Sequence, residues 1–439
     1  MKYAIIGAGW AGCSAAVELT KRGHQVHLFE ASRTLGGRAR TVNSHGLTID
    51  NGQHILLGAY KATLALLKTV GVNQKNALLR LPLQLCYPAG SDGMEFIAPQ
   101  LPAPLHIIFA LLTAKGLSRA DKMALARFSS TARWMDWRLN QDCTVAELLQ
   151  RFDQTDNIIR LMWQPLCIAA LNTPVQRASA QVFLNVLKDS LGTRRAASDM
   201  LIPRTDLTNL LPQAAATFIE TNGGKVHLGC NVQSLNKNGT QWQLQQFVPH
   251  AQEEFDGVVI ATQPDTAGKL LSPLNLAQHI PEFEYEPITT CYLKYPPSTR
   301  LPRPLLALVE RPEEDAWGQF VFDRGQTEQL AGLVAVVISA SHKAIEHGHE
   351  ELALNCAKQL AQDLKLPELA TPELHLVITE KHATFSCTPG LKRPSNQLPI
   401  SGLVLAGDYT ESRYPATLET AVQSGVLAAG LLCDAGLIP

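Results

Sequence analysis

The sequence predicts an α/β protein: a nucleotide-binding domain with a parallel sheet, assembled from three separate stretches of chain, and an α+β domain built from the two stretches between them. Three observations carry this. The 439 residues exceed the roughly 250–300 at which one hydrophobic core stops growing, so two interleaved domains are expected. A strand, a glycine turn, a helix and a second strand follow one another at the start, a unit the size of one βαβ module. Strand-and-helix texture then returns in the middle and at the end, with helix-rich and strand-rich stretches between.

The elements follow in order. Lys2–Ile6 reads as a buried strand, Gly7–Gly12 as a tight turn, and Ala11–Arg22 as a helix with Gly23 where a helix-ending glycine belongs. Gln25–Glu30 is the second strand. From Leu78 to Arg204 the chain is rich in Leu, Ala, Pro and Trp, and helices are predicted over Arg119–Leu139 and Ser179–Leu191. A helix over 207–222, closed by Gly223-Gly224, precedes a strand-and-hairpin stretch, Lys225–Phe247, and a short apolar strand, Asp256–Thr262. Residues 285–340 alternate as strands, Gly332–Ser339 most clearly; 349–364 reads as a helix. Strand Gly402–Ala406 and helix Thr417–Cys433 close the chain. The expected division is 1–77, 205–265 and 395–439 for the nucleotide-binding domain, and 78–204 with 266–394 for the other.

Composition excludes several classes. A 46% hydrophobic and 18% charged chain is globular rather than disordered or fibrous. A formal net charge of -1 leaves no global basic field for nucleic acid. The nine cysteines are scattered and never spaced C-x-x-C, a pattern that argues against a disulfide framework, a zinc site or an iron–sulfur site and for a reducing, cytoplasmic setting. No metal site is expected. Met1-Lys2-Tyr3 runs straight into strand-like sequence, which predicts no signal peptide. No apolar stretch approaches the ~18–20 residues of a membrane span. The longest candidate is Leu105–Ala114, which reads either as a core helix or as a helix dipping into the surface of a bilayer.

The chemistry begins at Gly7-Ala8-Gly9-Trp10-Ala11-Gly12, a G-x-G-x-x-G between a strand and a helix. Gly7 permits the sharp turn, Gly9 lets backbone approach a pyrophosphate, and Gly12 lets helix and strand pack closely. The helix start offers N–H groups and a positive dipole end to phosphate. Glu30 ends the next strand, where a carboxylate accepts both hydroxyls of an adenosine ribose and disfavours a 2′-phosphate. Leu35-Gly36-Gly37-Arg38-Ala39 follows: a second close backbone approach with a guanidinium suited to phosphate, or an ordinary loop.

In that context the run resembles the FAD fingerprint of the flavin amine oxidase and phytoene desaturase superfamily, as does Asp50-Asn51-Gly52-Gln53-His54. The C-terminal Leu405-Ala406-Gly407-Asp408 and Pro415-Ala416-Thr417-Leu418-Glu419 resemble the same superfamily, as does Asp256–Thr262. The resemblance implies a Rossmann-like FAD domain with a discontinuous α+β substrate domain. It implies FAD contacts from Gly7, Ala8, Gly9, Trp10, Ala11, Gly12, Glu30, Ala31, Gly36, Gly37 and Arg38, then from Gly52, Gln53, His54 and Val232. At the C-terminus it implies Gly407, Asp408, Ala416, Thr417 and Leu418, where the helix dipole stabilises negative charge on the reduced flavin.

A narrower resemblance covers Ala170–Leu207, especially Leu171-Asn172-Thr173-Pro174, Lys188-Asp189-Ser190-Leu191 and Pro203-Arg204-Thr205-Asp206-Leu207, together with Asp50–Tyr60 and Tyr414–Ala416. These are similar to the hydroxysqualene dehydroxylase family of squalene and hopanoid synthesis. That resemblance implies a long isoprenoid substrate, a reduced flavin delivering hydride to an allylic carbon as a hydroxyl leaves, and an electron donor the sequence does not name. Two departures stand out: Arg413 lies between Ser412 and Tyr414 where a small residue is expected, and Thr420 replaces a frequent glycine.

Candidate residues keep two readings each. His54 protonates or orients the hydroxyl, or packs and hydrogen-bonds at the flavin. Arg204 and Asp206 line the far side of the pocket, or form an ion pair and helix cap. Trp134, Trp137, Met162, Trp163, Phe183 and Leu187 line an oily pocket, or form a helical core; Tyr409 and Tyr414 flank the flavin, or belong to the core. The competing functions are a carotenoid-type desaturase, an amine oxidase or a protoporphyrinogen-type oxidase on the same scaffold, and a flavin- or lipid-binding protein without turnover.

Overall fold

The computed structural model describes residues 1–192, 194–246 and 253–435; the expected hairpin end at Phe247 and the last four residues of segment 395–439 lie outside them. A five-stranded, all-parallel sheet runs in the order Lys225–Leu228, Gln25–Glu30, Lys2–Ile6, Gly257–Ile260, Leu403–Leu405. Its strands come from three distant parts of the chain, and most are apolar and buried on both faces, as parallel sheets require. From Lys2–Ile6 the next strands add on one side and the later ones on the other. The carboxyl end of this strand is therefore the switch point, where α/β sheets bind ligands.

The helix after this strand spans Trp10–Lys21 and is buried along most of its length between the sheet and the C-terminal helix Leu418–Ala435. Close approach explains its glycine. A Cβ on Gly12 would lie 1.9 Å from the Gly7 carbonyl oxygen. The partner helix needs the same device, since a Cβ on Gly425 would lie 2.2 Å from the Ala11 carbonyl oxygen.

A second, antiparallel sheet runs Leu305–Ala307, Phe320–Asp323, Leu333–Ser339, Tyr285–Lys294, Leu374–Phe385, with helix His349–Leu364 packed on it. Helices from Leu105 to Leu191 share another apolar core. A three-stranded sheet pairs Leu56–Leu57 and Leu78–Leu81 with Met200–Pro203, so the expected boundaries at 77/78 and 204/205 fall at the edge of a sheet that joins both sides.

Several elements depart from expectation for local reasons. The helix beginning at Arg119 ends at Trp134 rather than Leu139, because Asp136 and Trp137 take left-handed φ of 50° and 59°. The 207–222 helix breaks into Leu207–Leu210 and Pro212–Thr221, since proline restricts the residue before it. Lys225–Leu228 joins the parallel sheet, and only Val232–Asn238 and Gln241–Gln246 form the hairpin. Over Ile159–Trp163 the backbone widens to π-helical geometry ahead of Pro165, which has no N–H to give Leu161; the Tyr87 hydroxyl donates to that carbonyl instead, at 2.9 Å.

The two glycines of the C-terminal helix predict opposite responses. Gly425→Val overpacks the helix crossing and is expected to cost about 1–3 kcal/mol. Gly430, where an added Cβ meets nothing within 4 Å, is expected to gain about 0.5–1 kcal/mol as Gly430→Ala. Thermal and urea unfolding of the two variants check both signs.

Candidate active site

At the switch point two glycine loops are knitted together. Gly36 N–H donates to Ala8 O at 2.9 Å, Gly9 bridges Gly36, and Gly36 and Gly37 take φ of 113° and 62°. A Cβ on Gly9 would meet only Gly37 Cα, at 3.9 Å, so the backbone at Gly9 is open to a ligand. No side chain caps the helix that begins at Trp10. Glu30 accepts from Ala8 N–H and Ser32 N–H, both at 2.8 Å; these occupy one site on each oxygen, and a carboxylate has about four. Ala31 follows, exposed. The Gly229–Val232 loop lies alongside, since Cys230 N–H donates to Glu30 O at 2.8 Å and Gly229 N–H to Ser32 O at 2.9 Å; Val232 is buried there. Trp10 packs beneath the second loop, its indole N–H 3.4 Å from Ala39 O.

Arg38 joins this corner to the C-terminus. Its guanidinium meets both oxygens of Asp408 at 2.6 Å and also donates to Ala383 O at 2.7 Å. Gly407 N–H donates to Ser424 Oγ at 2.9 Å. Thr417 caps the last helix by accepting from Thr420 N–H at 3.1 Å, with Ala416 before it and Leu418 opening the helix. Thr420, the departure from glycine, uses its hydroxyl to reach Pro415 O at 2.8 Å. The Asp408–Tyr414 loop is held by Arg393, which donates to the carbonyls of Asp408, Tyr409, Ser412 and Tyr414 and stacks on Phe385. Burial lowers Arg393 to about 10.

The Asp50–His54 run is fixed by a buried network. Asp50 accepts from Leu207 N–H at 2.8 Å and from Arg324 at 3.3 Å; the Tyr292 hydroxyl donates to Asp50 O at 2.6 Å. Arg324, 1% exposed, also bonds Gln53 and Glu328, and Gln53 Nε2 donates to Tyr292 at 2.8 Å. Burial raises Asp50 to about 7, against the opposing pull of Arg324 and the Leu207 N–H, and burial raises Glu328 too. One guanidinium between two carboxyls leaves one of them protonated toward neutral pH. Next to this network, His54 Nδ1 lies 3.1 Å from Gly52 O; burial, helped by the charge of Arg38, lowers its pKa, so the ring is neutral.

Trp137, Met162, Trp163, Phe183, Leu187 and Tyr409 share one apolar cluster. Trp163 is satisfied within it by Gln154, at 2.9 Å. Trp134, expected with them, is instead 88% exposed, on the rim of a polar surface cavity of about 980 Å³ with Asp136, Arg138 and Glu147. The helix that carries it ends there, so its ring leaves the core. Tyr414 is tied through its hydroxyl to Asp189, with Arg413 bonded to both. Asp206 caps the short helix at Leu207 and bonds Thr41 and Asn209, while Arg204 is exposed; these two make no ion pair with each other, and the helix-cap alternative describes Asp206. Sequence reasoning missed Tyr292, Arg324, Glu328 and Arg393. No spacing links them to the motifs they hold, and nothing local in the sequence marks Arg324 as buried.

These features fit a bound FAD. The glycine cradle is open, the helix start is uncapped, and a buried hydroxyl beside the Gly52 run faces no protein partner: Thr290 Oγ1, 3.9 Å from where a Gly52 Cβ would stand. The fold and corner define a Rossmann-type flavoprotein, and the flavin containing amine oxidoreductase family matches residues 10–433; the chain belongs to that family and is an FAD-dependent oxidoreductase. It is 28% identical, over 98% of both chains, to a hydroxysqualene dehydroxylase of Rhodopseudomonas palustris. It is 24% identical to a zeta-carotene desaturase of Capsicum annuum, over 99% of this chain and 81% of that one. An oxidoreductase from Methanosarcina mazei has the same fold, with TM-score 0.72 and 17% identity over 98% of this chain and 100% of that one.

The Asp50 network sets a pH dependence. Unfolded, the carboxyl ionises near 3.8; folded, it keeps its proton to about 7. The folded state therefore binds more protons across that window, and stability falls as pH rises through it. Urea unfolding at pH 5 and pH 8 is expected to show this decline in the native protein and a flatter dependence in Asp50→Asn. Equal slopes in the two proteins contradict the assignment.

Proposed function

We propose that this chain removes the allylic hydroxyl of hydroxysqualene reductively, giving squalene and water. The observation that carries the reading is Tyr409: a phenol 2% exposed and without a protein partner, set in the apolar cluster of the helical region immediately after Asp408 of the FAD corner. An unsatisfied hydroxyl among apolar side chains suits a hydrocarbon bearing a single hydroxyl. The full-length similarity to hydroxysqualene dehydroxylases supports the same substrate class.

Bound in its reduced form, FAD supplies the hydride, and with it both electrons. The protein's part is to ease departure of the hydroxyl. The carbon–oxygen bond breaks, a proton joins the leaving oxygen as water forms, and the carbon accepts hydride. The Tyr409 phenol hydrogen-bonds that oxygen; burial disfavours its phenolate, so the proton it passes on is restored from solvent within the same turnover. His54, neutral and bonded to Gly52 O, orients rather than protonates. Phe283 sets its ring near Tyr409, offering a π face to a developing allylic cation and excluding water. In this reading Trp137, Met162, Trp163, Phe183 and Leu187 build the hydrocarbon wall. The glycine loops, Glu30, Val232, Gly52, Gln53, Gly407, Asp408 and Ala416–Leu418 hold FAD. Residues 1–77, 205–265 and 395–439 form the FAD domain, and 78–204 with 266–394 the substrate domain.

Anaerobic enzyme reduced with dithionite is expected to convert hydroxysqualene to squalene as its flavin reoxidises in equal amount. Reduced flavin that persists without squalene sinks the reading. Oxidised enzyme would then be tried on phytoene-like hydrocarbons, the desaturase direction, and on amines. Tyr409→Phe is expected to slow turnover about 10²-fold while FAD content and dithionite reduction stay unchanged. Native turnover in that variant removes Tyr409 from the mechanism.

A further inference from the structure

The helix Leu105–Thr113 contains no charged residue and is covered on one side only. His106 and Ala110 are fully buried, and Ala110 joins the same apolar cluster as Trp163 and Phe183. The opposite side carries Leu105, Ile108, Phe109 and Leu112, exposed by 45, 44, 46 and 64%. Their spacing of i, i+3, i+4 and i+7 sets them in a single stripe. Met123, 61% exposed, belongs to the neighbouring helix Arg119–Trp134. An outward apolar stripe of this kind costs free energy in water unless something apolar covers it.

The charges around it name the partner. Between residues 99 and 134 the basic side chains are Lys115, Arg119, Lys122, Arg127 and Arg133. Lys115, Arg119, Arg127 and Arg133 are exposed; Lys115 pairs with Glu95 at 3.5 Å and Arg127 reaches the Asp153 carbonyl, while Lys122 Nζ reaches back to the Leu112 carbonyl at 2.8 Å, beside the stripe. The one acid in that stretch, Asp121, is 3% exposed and engaged by Ser118, Thr155 and Asn157. A second copy docked through a two-fold axis would set this basic rim against itself. An anionic bilayer surface offers both complements: acyl chains for the stripe and phosphates for the rim. Among the described residues no helix is long and apolar enough to cross a membrane, so the contact is with one leaflet.

We propose that the stripe Leu105, Ile108, Phe109 and Leu112, with its basic rim, docks the protein onto an anionic lipid surface. The surface stands independently of the substrate reading, and its test needs no substrate. The FAD-loaded protein is floated with phosphatidylcholine vesicles containing or lacking phosphatidylglycerol, at low and high salt. The native chain is expected to float with the anionic vesicles and to be released by salt. Phe109→Ser with Leu112→Ser, and separately Arg119→Glu with Arg133→Glu, are expected to lower the floated fraction about tenfold with FAD content unchanged. Leu354→Ser, at an exposed apolar residue elsewhere, is expected to float like the native chain. Failure of the native chain to float, or flotation of both double variants at the native level, overturns the proposal. A native dimer in sedimentation that the Phe109/Leu112 variant converts to monomer also overturns it, and assigns the stripe to a second copy.

Discussion

Asp50 and Arg324 form the joint on which the candidate site depends. Asp50 ends a strand near the N-terminus, Leu207 opens a helix in the middle of the chain, and Tyr292 and Arg324 belong to the antiparallel sheet region. Three groups from distant sequence thus meet at the carboxyl and the backbone carbonyl of Asp50. A buried guanidinium is tolerated only when its desolvation is offset by close, directional partners, and here Gln53, Glu328 and Asp50 supply them. The Gln53 side chain, bonded at one end to Tyr292 and at the other to Arg324, ties the Gly52–His54 loop to the antiparallel sheet region. A ligand on that run meets a preset surface and pays less to order it.

A second constraint is contact distance. Gly7, Gly12, Gly36 and Gly425 all stand where an added Cβ would lie under 3.0 Å from backbone. Three of these surround the nucleotide loop, and the fourth seats the C-terminal helix against the first. The same close packing draws Asp408 to Arg38 across 370 residues of chain. Arg393 then binds four carbonyls of the following loop, so Tyr409 is presented by a segment with little freedom. An unpaired phenol in such a rigid, apolar place is costly.

The helical region shows two sides of one apolar wall. Its inner face carries Phe128, Trp163 and Phe183, packed ring to ring in tilted and edge-to-face contacts. Its outer face leaves Ile108, Phe109 and Leu112 to solvent. Ala110 belongs to the inner cluster while its neighbours in sequence face outward, so the inner cluster and the outer apolar surface are separated by the thickness of one helix.

Much of the parallel sheet was legible without coordinates. Lys2–Ile6 and Gln25–Glu30 are short apolar runs bounded by glycine turns, and the G-x-G-x-x-G between them is a local geometric requirement written in residues with no side chain. Helix 349–364 was equally plain from its period. Local rules also pointed to Asp206 as a cap, one of its two readings, because capping is settled within three residues. Where the outcome rested on distant partners the sequence alone was silent. It could not say that Lys225–Leu228 would leave its hairpin for the parallel sheet, that Trp134 would turn outward past Asp136, or that Arg324 would reach Gln53. Helix starts, glycine turns and apolar periods are decided by neighbours in the chain. Burial of a charge, exposure of a tryptophan and the loneliness of the Tyr409 hydroxyl are decided by which surfaces meet, and only the tertiary structure brings those together.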